Sequence, residues 1–296
     1  MKLELRPGRP YVIAELGTSC DGSVGNMIEL AKHAVAAGAS AIKVQDHGFQ
    51  KVSADAQFPP WFQGSRWETR QNYLARQSRF VADETDYENG WDACALMKKH
   101  GPLVPLIVSP FDAYAVEEGI REGKHVDAWK IASGQVTNHA LIRACVETGL
   151  PIIVSSGMTT RQEFEAAMMH IPDAQRWCAM ACTSDYPTQP ESVWFFNDFD
   201  ARDQYAEHIG FSDHAPPDSA AAAIVAWTRG AGVFERHVCF DQRMYGSDAK
   251  NACTLEQFAR YCRELDFAAR IPEGDVREEN VKRLGAVRDQ FLVRSE

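Results

Sequence analysis

Several things are scarce in this 296-residue chain. No apolar run approaches the roughly 20 residues that a membrane-spanning helix needs. The first ten residues, MKLELRPGRP, lack the apolar stretch of a secretory signal. Cations are in the minority, with 31 Lys and Arg against 41 Asp and Glu and a formal net charge of −10. That balance repels nucleic acid and anionic membranes at long range, so neither is expected as a partner, while a local basic pocket for a small anion stays open. The eight cysteines form no paired CxxC framework. Without a secretion signal they read as reduced thiols of a cytoplasmic protein. Cys178 and Cys182, in CAMACTS, read as small buried apolar residues. Low-complexity tracts are missing as well.

What is present is an ordinary globular composition, 45% apolar and 24% charged. One rhythm repeats along it. A short apolar, β-branched run ends in small or polar residues, and an amphipathic segment follows. The predicted strands are YVIAELG (11–17), SAIKVQD (40–46), PLIVSPF (105–111), AWKIASG (128–134), PIIVSSG (151–157), CAMACTS (178–184), EHIGFSDH (207–214) and GVFERHVCF (232–240). Helical stretches lie between them, among them 25–38, 87–101, 138–149 and 218–230, several ending in glycine. Eight strand–helix units predict a (β/α)8 TIM barrel, an α/β fold in a single domain. The barrel is expected over residues 1–270, with a long connection at 47–85 and a helical tail at 271–296. A long connection leaving the end of the second strand lies at the face where such barrels carry their sites.

Alternate side chains of a strand share a face, and the inward face of a small barrel is apolar except at its C-terminal mouth. The last positions of that parity are polar in strand after strand: Glu15, Lys43 and Gln45, Ser109, Lys130, Ser155, Ser212 and His214, Glu235 and His237. A lone buried lysine costs several kcal/mol, of order, unless an anion compensates it. Two lysines with serines nearby suit a phosphate or carboxylate ligand. The other reading pairs the lysines with Glu15 or Glu235 as structural ion pairs. His214 and His237 end consecutive strands and can hold a divalent transition metal, with a carboxylate such as Glu15 or Glu235 tuning it. Two unrelated core histidines are the alternative. Asp213 and Asp241 read as supporting residues.

The motifs AELG with Gly22, KVQ, SPFD, KIASG, SSGM, TSDYPTQPE, FSDH and ERHVCFD occur in one order at the predicted strand ends. Together they resemble the sialic acid synthase (NeuB-like) family, over about residues 11–267. That resemblance implies an N-acetylneuraminate synthase-type barrel condensing phosphoenolpyruvate with an aldose, to a 2-keto-3-deoxy sugar acid and phosphate. It implies a divalent ion, usually manganese, on His214 and His237, with Glu15 as an acid near it. Lys43, Lys130, Ser133 and Ser212 match positions that hold phosphoenolpyruvate. Ser109 stands where threonine is common, and Asp185 where Asn or Ser is common; a carboxylate there would repel phosphate. Gln45, Tyr186 and Asp248 match positions facing the sugar. Homodimers are common in that family.

The departures are specific. Ser19-Cys20 replaces Asn-His in the first loop. Gln135 follows KIASG where a catalytic acid is usual, and it cannot act as a base. GSDA replaces a GPDH-like motif, so Ala249 stands for a histidine. The family's C-terminal antifreeze-like domain, which brings an arginine to the site, is not expected here; Arg66, Arg70 and Arg76 of the long connection are substitutes unless they are simply solvated. Two other functions stay open: a metal-dependent aldolase or lyase on a related keto acid, and a ligand-binding barrel without catalysis.

Overall fold

Eight parallel strands succeed one another around a closed sheet: β1 (Tyr11–Glu15), β2 (Ala41–Asp46), β3 (Leu106–Pro110), β4 (Ala128–Ile131), β5 (Ile152–Ser155), β6 (Arg176–Cys182), β7 (His208–Asp213) and β8 (Val233–Cys239). Each pairs with the next, and β8 pairs back onto β1 with Glu15 opposite His237. The architecture is the (β/α)8 TIM barrel in a single domain. The computed structural model describes residues 3–47, 58, 69–77, 93–114, 116–117, 126–196, 205–272, 274 and 276–284. Most of the 47–85 connection lies outside these residues, with Arg66, the side chain of Arg76, the start of the 87–101 helix and residues 285–296.

The helices among the described residues are α1 (Val24–Ala36), α2 (Arg70–Gln77), α3 (Ala93–His100), α4 (His139–Glu147), α5 (Arg161–Met168), α6 (Ala221–Thr228), α7 (Leu255–Ala269) and α8 (Arg277–Arg283). Their sequence logic is local. In α1, Met27, Leu30, Ala31 and Ala34 recur at helical spacing and are the buried face, while Ser23 caps the N-terminus by accepting from the Asn26 N–H. Thr160 with Glu163 and Thr254 with Gln257 form reciprocal capping boxes at the starts of α5 and α7. A two-residue strand, β9 (Cys253–Thr254), lies beside β8 just before α7.

The barrel interior is stratified. Tyr11, Ile13, Ala41, Ile107, Ala128, Ile153, Cys178, Met180 and Val233 form an apolar floor, with Leu3 and Leu5 packed against it. Each fully buried Ile or Val there contributes about 1.5–3 kcal/mol. The register of β5 on β6 runs Ile152 to Arg176 but Ile153 to Cys178, so Trp177 is the extra residue of a bulge. The bulge lets Trp177 join the floor and meet the Tyr11 ring edge-on at 5.4 Å. Gly210 is required by space: a Cβ there would lie 2.8 Å from the Val233 carbonyl oxygen and 2.9 Å from Cys178 Sγ. One step of two residues toward the C-terminal ends, the same inward rows turn polar: Glu15, Lys43, Ser109, Lys130, Ser155, Ser212 and Glu235, all buried.

Candidate active site

The polar layer is built around an alternating string of charges. Lys43 on β2 pairs with Glu15 on β1 and lies 3.4 Å from Glu235 Oε1 on β8. Lys130 on β4 lies 3.6 Å from the other Glu235 oxygen. The ion-pair reading of the lysines is therefore realised, and it does not exhaust them. Burial, helped by repulsion from Lys43, pulls the Lys130 ammonium below its ordinary value against the attraction of Glu235. Lys43, with two carboxylates, is held above it despite burial. Burial pushes the Glu15 carboxyl up to about 7, because Lys43 is shared with Glu235. Burial acts on Glu235 in the same sense, but Lys130, Lys43 and both imidazoles overturn it and hold that carboxyl at about 2.

Several polar atoms at this rim are buried without a hydrogen-bond partner: Glu15 Oε1, Ser155 Oγ, Glu235 Oε2 and His237 Nδ1. Buried polar groups are otherwise almost always paired, so these orphaned atoms are where a polar ligand would supply the missing partners. Beside it, Ser133 Oγ accepts from the Gly157 N–H at 3.1 Å and lies 3.6 Å from Cys182 Sγ. A Cβ on Gly157 would meet Ser184 Oγ at 2.5 Å, Cys182 Sγ at 2.9 Å and Ser133 Oγ at 2.9 Å. Gly157→Ala therefore pushes the two hydroxyls and the thiol aside. It is expected to raise the half-saturating concentration of an anionic ligand about tenfold, roughly 1.4 kcal/mol, with the circular dichroism spectrum unchanged. An unaltered binding curve would show that this serine cradle is not part of the anion site.

His214 and His237 face one another with ring centroids 5.5 Å apart. Tyr186 stacks on His214 at 4.1 Å and meets His237 edge-on at 6.0 Å. His214 Nδ1 bonds to the Thr183 carbonyl oxygen at 2.8 Å, which leaves Nε2 toward the Tyr186 hydroxyl at 3.1 Å. His237 Nδ1 faces Asp248 Oδ2 at 3.7 Å. Burial pulls His237 down to about 4 against the attraction of Asp248, so its imidazole is neutral at neutral pH. His214 is drawn above its ordinary value, burial being outweighed by Cys182 and the Thr183 carbonyl. A metal would take the place of that proton. Among the described residues no group of three or more His, Cys, Asp or Glu side chains converges in metal-ligand geometry. The donors fit an open site instead: two facing imidazoles suit a borderline divalent ion completed by substrate and water oxygens.

The remaining expected residues divide. Ser212 Oγ lies 3.4 Å from Glu235 Oε1 and 3.5 Å from His214 Nε2, inside the cluster. Ser109 is buried and donates to the Lys130 carbonyl oxygen at 3.0 Å, while half-buried Gln45 sits opposite it in register. Asp248 accepts from the Thr18 N–H at 2.9 Å and from Ser247 Oγ at 3.1 Å. Two residues stand apart. Asp185 is exposed, its Oδ1 accepting from the Tyr186 N–H at 3.1 Å, and its neighbour Ser184 takes the position beside Cys182 and Gly157. Gln135 ends a 3-10 turn (Ser133–Gln135), its Oε1 accepting from Asn138 Nδ2 at 3.0 Å. Asp213 pairs with Arg236 at 2.8 Å. Ser184, Gly157, Thr18 and Ser247 had no strand parity to reveal them, because they sit on loops past the strand ends, and Cys182, at the end of β6, was read only as a small buried apolar residue.

A sequence profile of the NeuB family matches residues 27–273. Among curated relatives, a pseudaminic acid synthase of Campylobacter jejuni is 26% identical over 253 residues, 84% of this chain and 70% of that one. A human N-acetylneuraminate-9-phosphate synthase is 25% identical over 283 residues, 91% of this chain and 75% of that one. A solved N-acetylneuraminic acid synthetase from Leptospira borgpetersenii, in complex with citrate, superposes with a TM-score of 0.71 at 19% identity, over 95% of this chain and 93% of that one. That structural likeness speaks for the fold.

Proposed function

The chain belongs to the NeuB family, and on that premise we propose that it joins phosphoenolpyruvate to the aldehyde carbon of an aldose, an amino sugar or a related aldehyde. The product is a 2-keto-3-deoxy sugar acid, and phosphate is released. The observation that carries the reading is the buried layer of two lysines, serine hydroxyls and unpartnered polar atoms beside two facing imidazoles. An anion entering there would counter the burial that holds the Lys130 ammonium below its ordinary value.

The chemistry divides among the residues by charge. Lys130 and Lys43 set fixed positive charge where the phosphate and carboxylate of phosphoenolpyruvate would lie, at no reorganisation cost during reaction. Ser133, Ser155 and Ser212 supply hydroxyls on the same rim and orient the enol ether toward the acceptor. His214 and His237 would hold a divalent ion, Mn2+ by resemblance, which supplies Lewis-acid polarisation of the aldehyde oxygen. Carbon–carbon bond formation turns that oxygen into an alkoxide that needs a proton, and water must then add to the former enol carbon before phosphate leaves. Of the two buried glutamates, Glu15, at about 7, can exchange a proton near neutral pH, whereas Glu235, at about 2, stays ionised as the lysines' counter-charge. Gln135 has no such capacity. Tyr186, Gln45 and Asp248 are, by resemblance, the groups that would meet the sugar.

The test is the protein with phosphoenolpyruvate, Mn2+ and a panel of aldoses, with phosphate and 2-keto-3-deoxy acid both assayed. The expectation is equimolar release with at least one aldose. Pyruvate released from an added 2-keto-3-deoxy sugar acid, with no phosphoenolpyruvate consumed in the aldose panel, would replace the reading with a lyase. Tight binding of phosphoenolpyruvate with no turnover on any aldose would replace it with a binding barrel.

A further inference from the structure

We propose that Tyr73, on α2 of the long β2 connection, is a positioning residue for His237, acting through Ser247 and Asp248. The proposal rests on the reading of His237 as a metal ligand. Tyr73 and Gln77 are four residues apart, on one face of α2, and are only 2% and 1% exposed. That face is bound to two other mouth loops. Gln77 Nε2 donates to Asp21 Oδ1 at 3.0 Å on the loop after β1. The Tyr73 hydroxyl accepts from the Ser247 N–H at 2.8 Å and donates to Ser247 Oγ at 3.3 Å, on the loop after β8.

From the hydroxyl the hydrogen bonds continue to the Asp248 carboxylate, which faces the imidazole. Ser247 Oγ donates to Asp248 Oδ1 at 3.1 Å. The other carboxylate oxygen, Oδ2, accepts from the Thr18 N–H at 2.9 Å and faces His237 Nδ1 at 3.7 Å. Asp248 N–H closes the loop by donating to Thr18 Oγ1 at 3.2 Å. A carboxylate held on both oxygens by donors from different segments cannot rotate freely. Its orientation keeps the His237 proton on Nδ1 and leaves Nε2 as the lone-pair nitrogen, as partners behind a ligating histidine do. Gly17 shows how tightly the carboxylate is seated: its φ is +48°, and a Cβ there would lie 2.2 Å from Asp248 Oδ2. Ser247 is held in turn by the Tyr73 hydroxyl and by Thr18 Oγ1, 3.1 Å from Ser247 Oγ. The Tyr73 ring is itself wedged edge-on against Phe58 at 5.5 Å and Tyr245 at 5.9 Å, so Tyr73→Phe keeps the packing and removes only the hydroxyl.

The experiment compares wild type, Tyr73→Phe, Asp248→Asn and the double variant, with Asn72→Ala on the exposed side of α2 as a control for general loosening. Mn2+ binding is read without substrate, from the electron paramagnetic resonance signal of the free ion, and kcat and KM for phosphoenolpyruvate are measured separately. Tyr73→Phe is expected to weaken Mn2+ binding about tenfold, the low end of the range for groups that orient a ligand. The KM for phosphoenolpyruvate should stay within about twofold of wild type, since neither lysine is disturbed. Because Tyr73 acts through Asp248, the double variant should bind Mn2+ like Asp248→Asn alone. Wild-type affinity in Tyr73→Phe, effects that multiply in the double variant, or an equal loss in Asn72→Ala would each overturn the proposal while leaving the metal reading intact. A wild-type protein that takes up no Mn2+ would remove that reading, and the proposal with it.

Discussion

His214→Ala and His237→Ala each lower turnover by about a thousandfold or more, an effect on the order of 4 kcal/mol on the barrier. The size follows from what each substitution removes. With two imidazoles, the loss of one halves the protein's nitrogen donors to the ion, and charge developing on the acceptor oxygen loses its counterpart. The fold should survive, because both rings face Tyr186 and the polar layer rather than the apolar floor. Excess Mn2+ should recover part of the loss in either variant, since the second imidazole remains. Steady-state rates across a Mn2+ titration, alongside a thermal melt, check both statements. Rates within a few-fold of wild type at all Mn2+ concentrations would contradict the metal assignment.

The largest effect on stability is expected at Arg236, one residue from each of Glu235 and His237 but on the opposite face of β8. It is 1% exposed and among the largest fully buried side chains of the protein. Its guanidinium pairs with Asp213 Oδ1 at 2.8 Å and donates to the carbonyl oxygens of Asp213 at 3.0 Å and Pro216 at 2.7 Å. It also bonds Cys253 Sγ at 3.1 Å and lies over the Tyr261 ring at 5.3 Å. Arg236→Met removes the cation and leaves the Asp213 carboxylate buried. The expected cost is about 3–5 kcal/mol, that of breaking a buried pair by one partner. Arg236→Lys should recover little, since an ammonium cannot span the same fork of acceptors. Adding Asp213→Asn to Arg236→Met should recover a measurable part by removing the orphaned charge. Urea denaturation of the four proteins decides it, and a loss under about 1 kcal/mol in Arg236→Met would show the pair to be dispensable. The pair ties the ends of β7 and β8 together, each partner one residue from His214 or His237.

How much of this was legible in the sequence depends on where each residue sits. The eight strands were readable because barrel strands are covered on both faces and appear as unbroken apolar runs. All but β2 were overrun at the C-terminal end, by at most three residues, at β4, since small residues such as Ser133 and Gly157 continue the composition after the ladder has stopped. Alternation then brought out Glu15, Lys43, Lys130 and Glu235, whose polar character is costly at inward positions. It failed past the ladder. Ser184 and Asp185 cannot be ranked by parity once β6 ends at Cys182, and the structure turns Asp185 outward. Trp177 was out of reach for another reason, because a bulge shifts the parity it breaks. Tyr73 lies in a polar, aromatic-rich stretch whose short helix depends on tertiary contacts with two other loops rather than on an apolar stripe.

The most direct measurement is a crystal structure of the protein with phosphoenolpyruvate and Mn2+, with the metal located by its anomalous signal. The account predicts the anion's phosphate and carboxylate within about 2.7–3.2 Å of the Lys43 and Lys130 ammoniums, and the metal between the His214 and His237 rings. Phosphoenolpyruvate bound away from both lysines, or a metal that touches neither imidazole, would contradict it.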